Sequence, residues 1–247
     1  MSSFNAEGIL IRSYDYGDGH RIISAFTREA GKIKAVARGS RKVKSKLAAY
    51  LEPASHNIFS FHSKKGQGLY TLTGVRPLDT HEDLRKDMKL FGYASIILES
   101  VDVMTAENDP DLILYSLLTD ALKDLSAKEP SGTFCLFLFR LLKAAGYRLE
   151  MFSCISCGRE ISGKAGLFSF SLGGIVCSDC RQDSPCLNVS KKTLGYIRKL
   201  SEKLALPDDV EEEIGNIIQK YIKYEFGKDL NSREFMKIFG EKCTFKT

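Results

Sequence analysis

The chain has 247 residues, 43% of them hydrophobic, with a formal net charge of +5. That length and composition fit one large domain or two small ones and exclude a disordered, low-hydropathy chain. The charge is uneven: residues 1–80 hold 13 Lys+Arg against 6 Asp+Glu, net +7, and the remainder is net −2. This segregation points the N-terminal part toward a polyanionic partner.

The chain opens Met1-Ser2-Ser3-Phe4-Asn5, without the basic start and apolar stretch of a signal peptide. The longest apolar run, residues 134–142, is short and contains Arg140. The expectation is a cytoplasmic protein with no membrane partner. Seven cysteines in a reducing compartment favour metal over disulfides.

The N-terminal segment reads as strands. Gly8-Ile9-Leu10-Ile11-Arg12-Ser13-Tyr14 is apolar and β-rich, and Asp15-Tyr16-Gly17-Asp18-Gly19 breaks it. Residues 21–27 form a second strand. In the third, Lys32-Ile33-Lys34-Ala35-Val36-Ala37-Arg38, alternation predicts one packed face and one face showing Lys32, Lys34 and Arg38. Residues 55–61 and 69–75 supply two more. Five short strands in about eighty residues predict a small closed barrel, OB-type or SH3-like.

Between the third and fourth strands lies Gly39-Ser40-Arg41-Lys42-Val43-Lys44-Ser45-Lys46. Arg41, Lys42, Lys44 and Lys46 suit a phosphate backbone, and a solvated loop without a ligand is the competing reading. Tyr14, Tyr16, Phe59, Phe61 and Tyr70 are candidate stacking rings, most of them expected in the core because they sit at strand spacing among apolar neighbours.

Helical periodicity takes over after Pro77. One helix is expected from Glu82 to about Ala106. A second is capped by Asp109 with Pro110 at its first position, a third by Ser131, ending near Gly146. Ser190 opens another. Pro207 and the acidic run after it start the next, and Ser232 starts a short last one carrying Phe235 and Phe239.

The most specific motif is Cys154-Ile155-Ser156-Cys157 with Cys177-Ser178-Asp179-Cys180, two CxxC pairs separated by 19 residues. The spacing matches a four-cysteine zinc site, closed and therefore structural. Cys135 is expected in the core, and Cys186 and Cys243 receive no role. No phosphate-binding loop, GxSxG elbow or zinc-deaminase motif is present, so a catalytic role is not expected.

The order of basic barrel, helices, four-cysteine insert and helices resembles the bacterial RecO family of recombination mediators. Its marks here are Glu7-Gly8-Ile9-Leu10, the turn at 14–17, Gly31-Lys32-Ile33 leading to Ala37-Arg38-Gly39-Ser40-Arg41, Ser45-Lys46-Leu47, Leu51-Glu52-Pro53, Ala145-Gly146-Tyr147, the four cysteines and Leu230-Asn231-Ser232-Arg233-Glu234-Phe235. The resemblance implies an α+β chain: an OB-fold DNA-binding domain over 1–80, a helical domain over 81–150 and 187–247, and a zinc module over 151–186. It implies binding of single- and double-stranded DNA, annealing of complementary strands, and work with RecR in the RecF pathway to load RecA onto strands coated by single-strand binding protein. It also implies docking of that protein's acidic C-terminal tail in the helical domain, for which Arg140 and then Lys143 are candidate cations. An internal salt bridge is the alternative role for Arg140. The DNA contacts expected are Lys32, Lys34, Arg38, Arg41, Lys42, Lys44 and Lys46. The rival classes are a zinc-ribbon RNA-binding or ribosome-associated protein and an enzyme with an unrecognised site.

Overall fold

The computed structural model describes residues 2–42, 45, 47–63, 69–161, 165–181, 185–202 and 204–232. Five strands, β1 (Ser2–Tyr16), β2 (His20–Thr27), β3 (Gly31–Ala37), β4 (His56–Ser63) and β5 (Tyr70–Asp79), close a barrel in the order β1-β2-β3-β5-β4. β3 and β5 run parallel and the other pairs antiparallel. This is the OB-type barrel of the two expected. Its interior is narrow, and the sequence fills it with small residues (Ala6, Ala25, Ala35, Ala37) set against large ones (Leu10, Ile23, Phe59, Phe61).

A bulge in β1 decides what the barrel shows to solvent. Leu10 pairs with Ala25 but Arg12 pairs with Ser24, so Ile11 is the extra residue. An extra residue reverses the parity of everything after it. Before the bulge, Ala6 and Leu10 point inward; after it, Arg12, Tyr14 and Tyr16 point outward.

Helices follow: α1 (Glu82–Lys86), α2 (Met88–Met104), α3 (Leu112–Ala127) and α4 (Pro130–Ala144). The helix expected from Glu82 is broken at Asp87, whose extended backbone lets its carboxylate cap Lys89 and Leu90 and start α2. The helix expected after Asp109-Pro110 starts two residues later, capped by Asp111. Asp109 is occupied elsewhere, with its backbone packed under Gly31. Ser131 is not a cap either. It lies inside α4, where its hydroxyl accepts the Leu206 amide.

The cysteine segment carries a three-stranded sheet, β6 (Gly166–Ser169), β7 (Gly174–Val176) and β8 (Cys186–Val189), in the order β7-β6-β8. Helices α5 (Lys191–Arg198), capped by Ser190, and α6 (Asp208–Phe226) complete the described chain. Of the short helix expected from Ser232, the described residues include only its start, with Asn231 and Ser232 helical; Phe235 and Phe239 lie outside them. Met151, Phe168, Ile175 and Val176 share one continuous core with Ile217, Ile218 and Tyr221 of α6, and the Phe168 and Tyr221 rings meet edge-on with centroids 5.6 Å apart.

The barrel is fastened to the helices along one outer face. Ile9, Ile11 and Phe26 belong to the helical core. His56 Nε2 lies 2.9 Å from both the Glu7 carboxylate and the Tyr115 hydroxyl of α3. Glu99 of α2, nearly buried, accepts the backbone amides of Asn231 and Ser232 and lies 3.7 Å from Arg12. No helix among the described residues is long and apolar enough to cross a membrane.

Candidate nucleic-acid interface and metal centre

The basic residues of the barrel divide into two groups. Alternation in β3 puts Lys32 and Lys34 on the outer side as expected, but that side is not all open to solvent. Lys32 is 6% exposed, and its ammonium lies 3.2 Å from the Asp102 carboxylate and donates to the Asp102 carbonyl. The expectation of Lys32 on an exposed basic face is therefore corrected. A period of two gives a side chain's direction, and the end of α2 covers this one. Arg12 shares the same acid, with Nε 2.8 Å from Asp102.

Lys34 is part-exposed and 2.6 Å from Glu107. The hydrogen bond to Glu107 is the largest influence holding its ammonium above the usual lysine range. The segment carrying Glu107 runs beside β3, with a bridge between Lys32 and Glu107 and the Asn108 amide donating to the Lys32 carbonyl at 3.0 Å.

Arg38, Arg41 and Lys42 form the exposed group. This turn is tied to the β1–β2 hairpin. The Arg41 amide donates to Gly19 O at 3.3 Å, Arg41 Nη1 donates to Gly17 O at 3.3 Å, and Arg41 Nε lies 3.2 Å from Asp15. The Gly39 amide donates to His20 Nδ1 at 2.9 Å. Arg41 thus acts first as a tether, and Arg38 and Lys42 present the freer cations. Lys44 and Lys46 lie outside the described residues.

Of the five candidate aromatics, Phe59 and Phe61 are fully buried in the barrel core. Tyr70 packs edge-on against Phe4, with centroids 5.7 Å apart. The core position expected for most of the set thus holds for these three, while Tyr14 and Tyr16 are 51% and 53% exposed. The bulge that turns them outward has no strong sequence signal, because Ile11 looks like an ordinary strand residue.

Substituting Lys32 with Met is expected to destabilise the fold by about 3 kcal/mol, because it leaves Asp102 under-compensated beneath the barrel. The loss should appear as a melting temperature lower by roughly 6–12 °C. The salt dependence of DNA binding should not change. Lys42→Met should do the reverse, with stability within about 0.5 kcal/mol and a salt slope shallower by about 0.7–0.9. A Lys32→Met variant of full stability would refute the ion-pair assignment.

The four cysteines converge. The sulfurs of Cys154, Cys157, Cys177 and Cys180 all lie within 4.8 Å of one another. Cys157 and Cys177 are 3.9 Å apart, close to the roughly 3.8 Å edge of a sulfur tetrahedron with bonds of about 2.3 Å to a central ion. Gly158, at φ +72°, closes the first knuckle and donates its amide to Cys154 O at 2.8 Å. A short 3₁₀ turn over Ser178–Cys180 closes the second. The Cys177 amide donates to Cys154 Sγ at 3.4 Å. Burial opposes ionisation of Cys154, but the amides of Cys177, Cys157 and Ser156 outweigh it and bring the thiol down to about 6. Hydrogen bonds within the cluster, from Cys157 first, push Cys180 up to about 12. The donor set is all sulfur and closed, so it can hold a metal ion and leaves no position for a reacting water.

Arg140 and Lys143 are both exposed on α4. Arg140 makes no ion pair among the described residues. The apolar floor expected around it is mostly absent, since Phe137 and Leu141 are buried and only Phe139 is partly accessible.

The family model described as Recombination protein O N terminal matches residues 1–81, and that described as Recombination protein O C terminal matches residues 85–234. Among curated proteins, the chain is 31% identical to the DNA repair protein RecO of Acetivibrio thermocellus, over 98% of this chain and 100% of that one. It is 30% identical to the DNA repair protein RecO of Desulfitobacterium hafniense (strain DSM 10664 / DCB-2), over 94% of this chain and 88% of the relative. The same-named protein of Bacillus pumilus is 30% identical over 94% and 92%.

Proposed function

Since the chain belongs to the RecO family, a family of DNA repair and recombination, we propose that it is a non-enzymatic recombination mediator. It binds single- and double-stranded DNA, anneals complementary strands and, with RecR in the RecF pathway, helps load RecA onto strands coated by single-strand binding protein. The observation that carries this reading is the exposed basic turn of Arg38, Arg41 and Lys42 tied to the hairpin at one end of an OB-type barrel. Phosphate contacts of this kind hold a strand without reading its sequence. Two strands held on one cationic surface repel each other less, so pairing needs no nucleotide hydrolysis.

The metal assigned to the four cysteines is zinc, in a structural role. Four cysteine sulfurs within 4.8 Å of one another, one pair at 3.9 Å, support it. When bound, the ion cross-links the two knuckles. Cys154 and Cys157 hold it from one side and Cys177 and Cys180 from the other. Arg140, with Lys143, is the proposed cation for the acidic tail of single-strand binding protein, supported by its exposure and its lack of an ion pair among the described residues.

The test is annealing of complementary oligonucleotides without ATP, bare and coated with cognate single-strand binding protein, followed by fluorescence. The wild type should anneal both. A variant with Arg38, Lys42, Lys44 and Lys46 changed to Ala should lose annealing of both, with a salt slope of binding shallower by about 3. The pair Arg140→Ala, Lys143→Ala should slow only the coated strands. Equal annealing by the four-Ala variant would move the DNA surface elsewhere. No annealing by a folded wild type would end the mediator reading and turn the search to RNA.

A further inference from the structure

We propose that Tyr14 and Tyr16 form a stacking site for unpaired bases, which makes the barrel favour single strands over duplex. This rests on the DNA-binding reading above. Both rings are half-exposed on the outer face of β1, immediately before the β1–β2 turn. Without the bulge at Ile11 their parity would match Leu10 and send them into the core. Two large rings turned from core to water gain little for the fold. Their outer-face neighbours across the sheet are Ile22, opposite Tyr14, and Val36 beyond it. This is an apolar floor against which a ring can rest flat.

The rings also share a hairpin with the cations. Asp15, between them in sequence but on the opposite face of β1, holds Arg41 at 3.2 Å, and Gly17 and Gly19 accept from Arg41. The basic turn is therefore tethered to the hairpin that carries the rings. Lys34 lies on the same outer face, since Ser24 pairs with both Arg12, two residues before Tyr14, and Lys34. A strand whose phosphates meet Lys34, Arg38 and Lys42 would bring its bases over Tyr14 and Tyr16.

The spacing selects the ligand. Residues i and i+2 of a strand are about 6.6–6.8 Å apart, roughly twice the 3.4 Å rise of stacked bases. Consecutive bases of a duplex cannot each cover one ring, and their faces are already covered by neighbours. A single strand can open its bases to this step, and every base has a face to offer, so the site needs no particular sequence.

The chain contains no tryptophan, so Tyr14→Trp would place a single indole reporter in this site. Its emission should quench on adding a single-stranded oligonucleotide and change little with duplex. Affinities for a normal strand and an abasic strand of equal length give the decisive comparison. Wild type should prefer the normal strand by about 5- to 100-fold. The variant Tyr14→Ala, Tyr16→Ala should bind both strands as weakly as wild type binds the abasic one, with its salt slope unchanged. The double Phe variant should bind like wild type and shows that the hydroxyls are not needed. The proposal is overturned if the folded Ala variant keeps wild-type affinity for the normal strand, or if it weakens on normal and abasic strands alike. DNA binding without abasic discrimination removes this site alone. Binding of no strand at any salt removes the DNA reading with it.

Discussion

A Gly31→Ala chain is expected to lose about 3–5 kcal/mol of stability, far more than a methyl group usually costs. Gly31 opens β3 at φ +65°, a left-handed conformation that costs a residue with a Cβ roughly 1–2 kcal/mol. The larger part is contact. A Cβ here would lie 2.1 Å from the Asp109 carbonyl oxygen and 2.3 Å from its carbon. These are backbone atoms, so no rotamer change relieves the overlap and the segment before α3 must move. That movement pulls on the Asn108 amide bond to Lys32, the Lys32–Glu107 bridge and the Lys34–Glu107 ion pair. Gly17→Ala is the control. It carries the same conformational penalty at φ +58°, with nothing within 4 Å of the added carbon. Melting temperatures should fall by about 6–20 °C for Gly31→Ala and by about 2–8 °C for Gly17→Ala. Equal losses would show that the packing of Asp109 under β3 contributes nothing.

The same region shows where sequence reasoning works and where it stops. The four cysteines were legible because the ligand set is local: two residues between each pair is a property of the chain itself. The five strands were legible because alternation and Gly- or Asp-rich turns are local too, and the parallel pairing of β3 with β5 then separates OB from SH3-like. Exposure is different. Lys32 and Arg38 look alike in sequence, yet one lies under Asp102, 70 residues away, and the other faces water. Ser131 looks like a cap, but its hydroxyl is taken by the Leu206 amide, 75 residues along the chain. Tyr14 and Tyr16 face water because one bulged residue reverses the parity of β1, and nothing local marks Ile11 as that residue. Long-range partners and breaks of period are what the linear pattern leaves out.

Emptying or breaking the four-cysteine site, by chelation or by Cys154→Ser, is expected to loosen the helical body while leaving the barrel able to bind DNA. Cys154 is 1% exposed and sits in the same core as Phe168, Ile175 and Tyr221. A serine oxygen is a harder donor on a shorter bond, so the variant keeps three ligands of four. Chelation removes the cross-link between the knuckles, and the variant leaves it resting on Cys157 alone from the first knuckle. The sheet beside them is short, with strands of 3 or 4 residues, and has few ladder bonds of its own to hold the knuckles together. Its inward side chains are also the cover of α6, and each large apolar side chain returned to water costs about 1.5–3 kcal/mol. A loss of about 3–6 kcal/mol follows from Phe168 and Ile175 alone, read as a lower first melting transition. The barrel encloses a second cluster of its own, built on Leu10, Ile23, Phe59 and Phe61. Its basic turn is tied to the β1–β2 hairpin and not to the cysteines. Affinity for DNA below the first transition should therefore stay within about twofold, while protease sensitivity rises across residues 151–190. Wild-type melting in a metal-free preparation would mean that the thiols pack without an ion. Loss of DNA affinity with the barrel still folded would mean that the cysteine module reaches the nucleic acid.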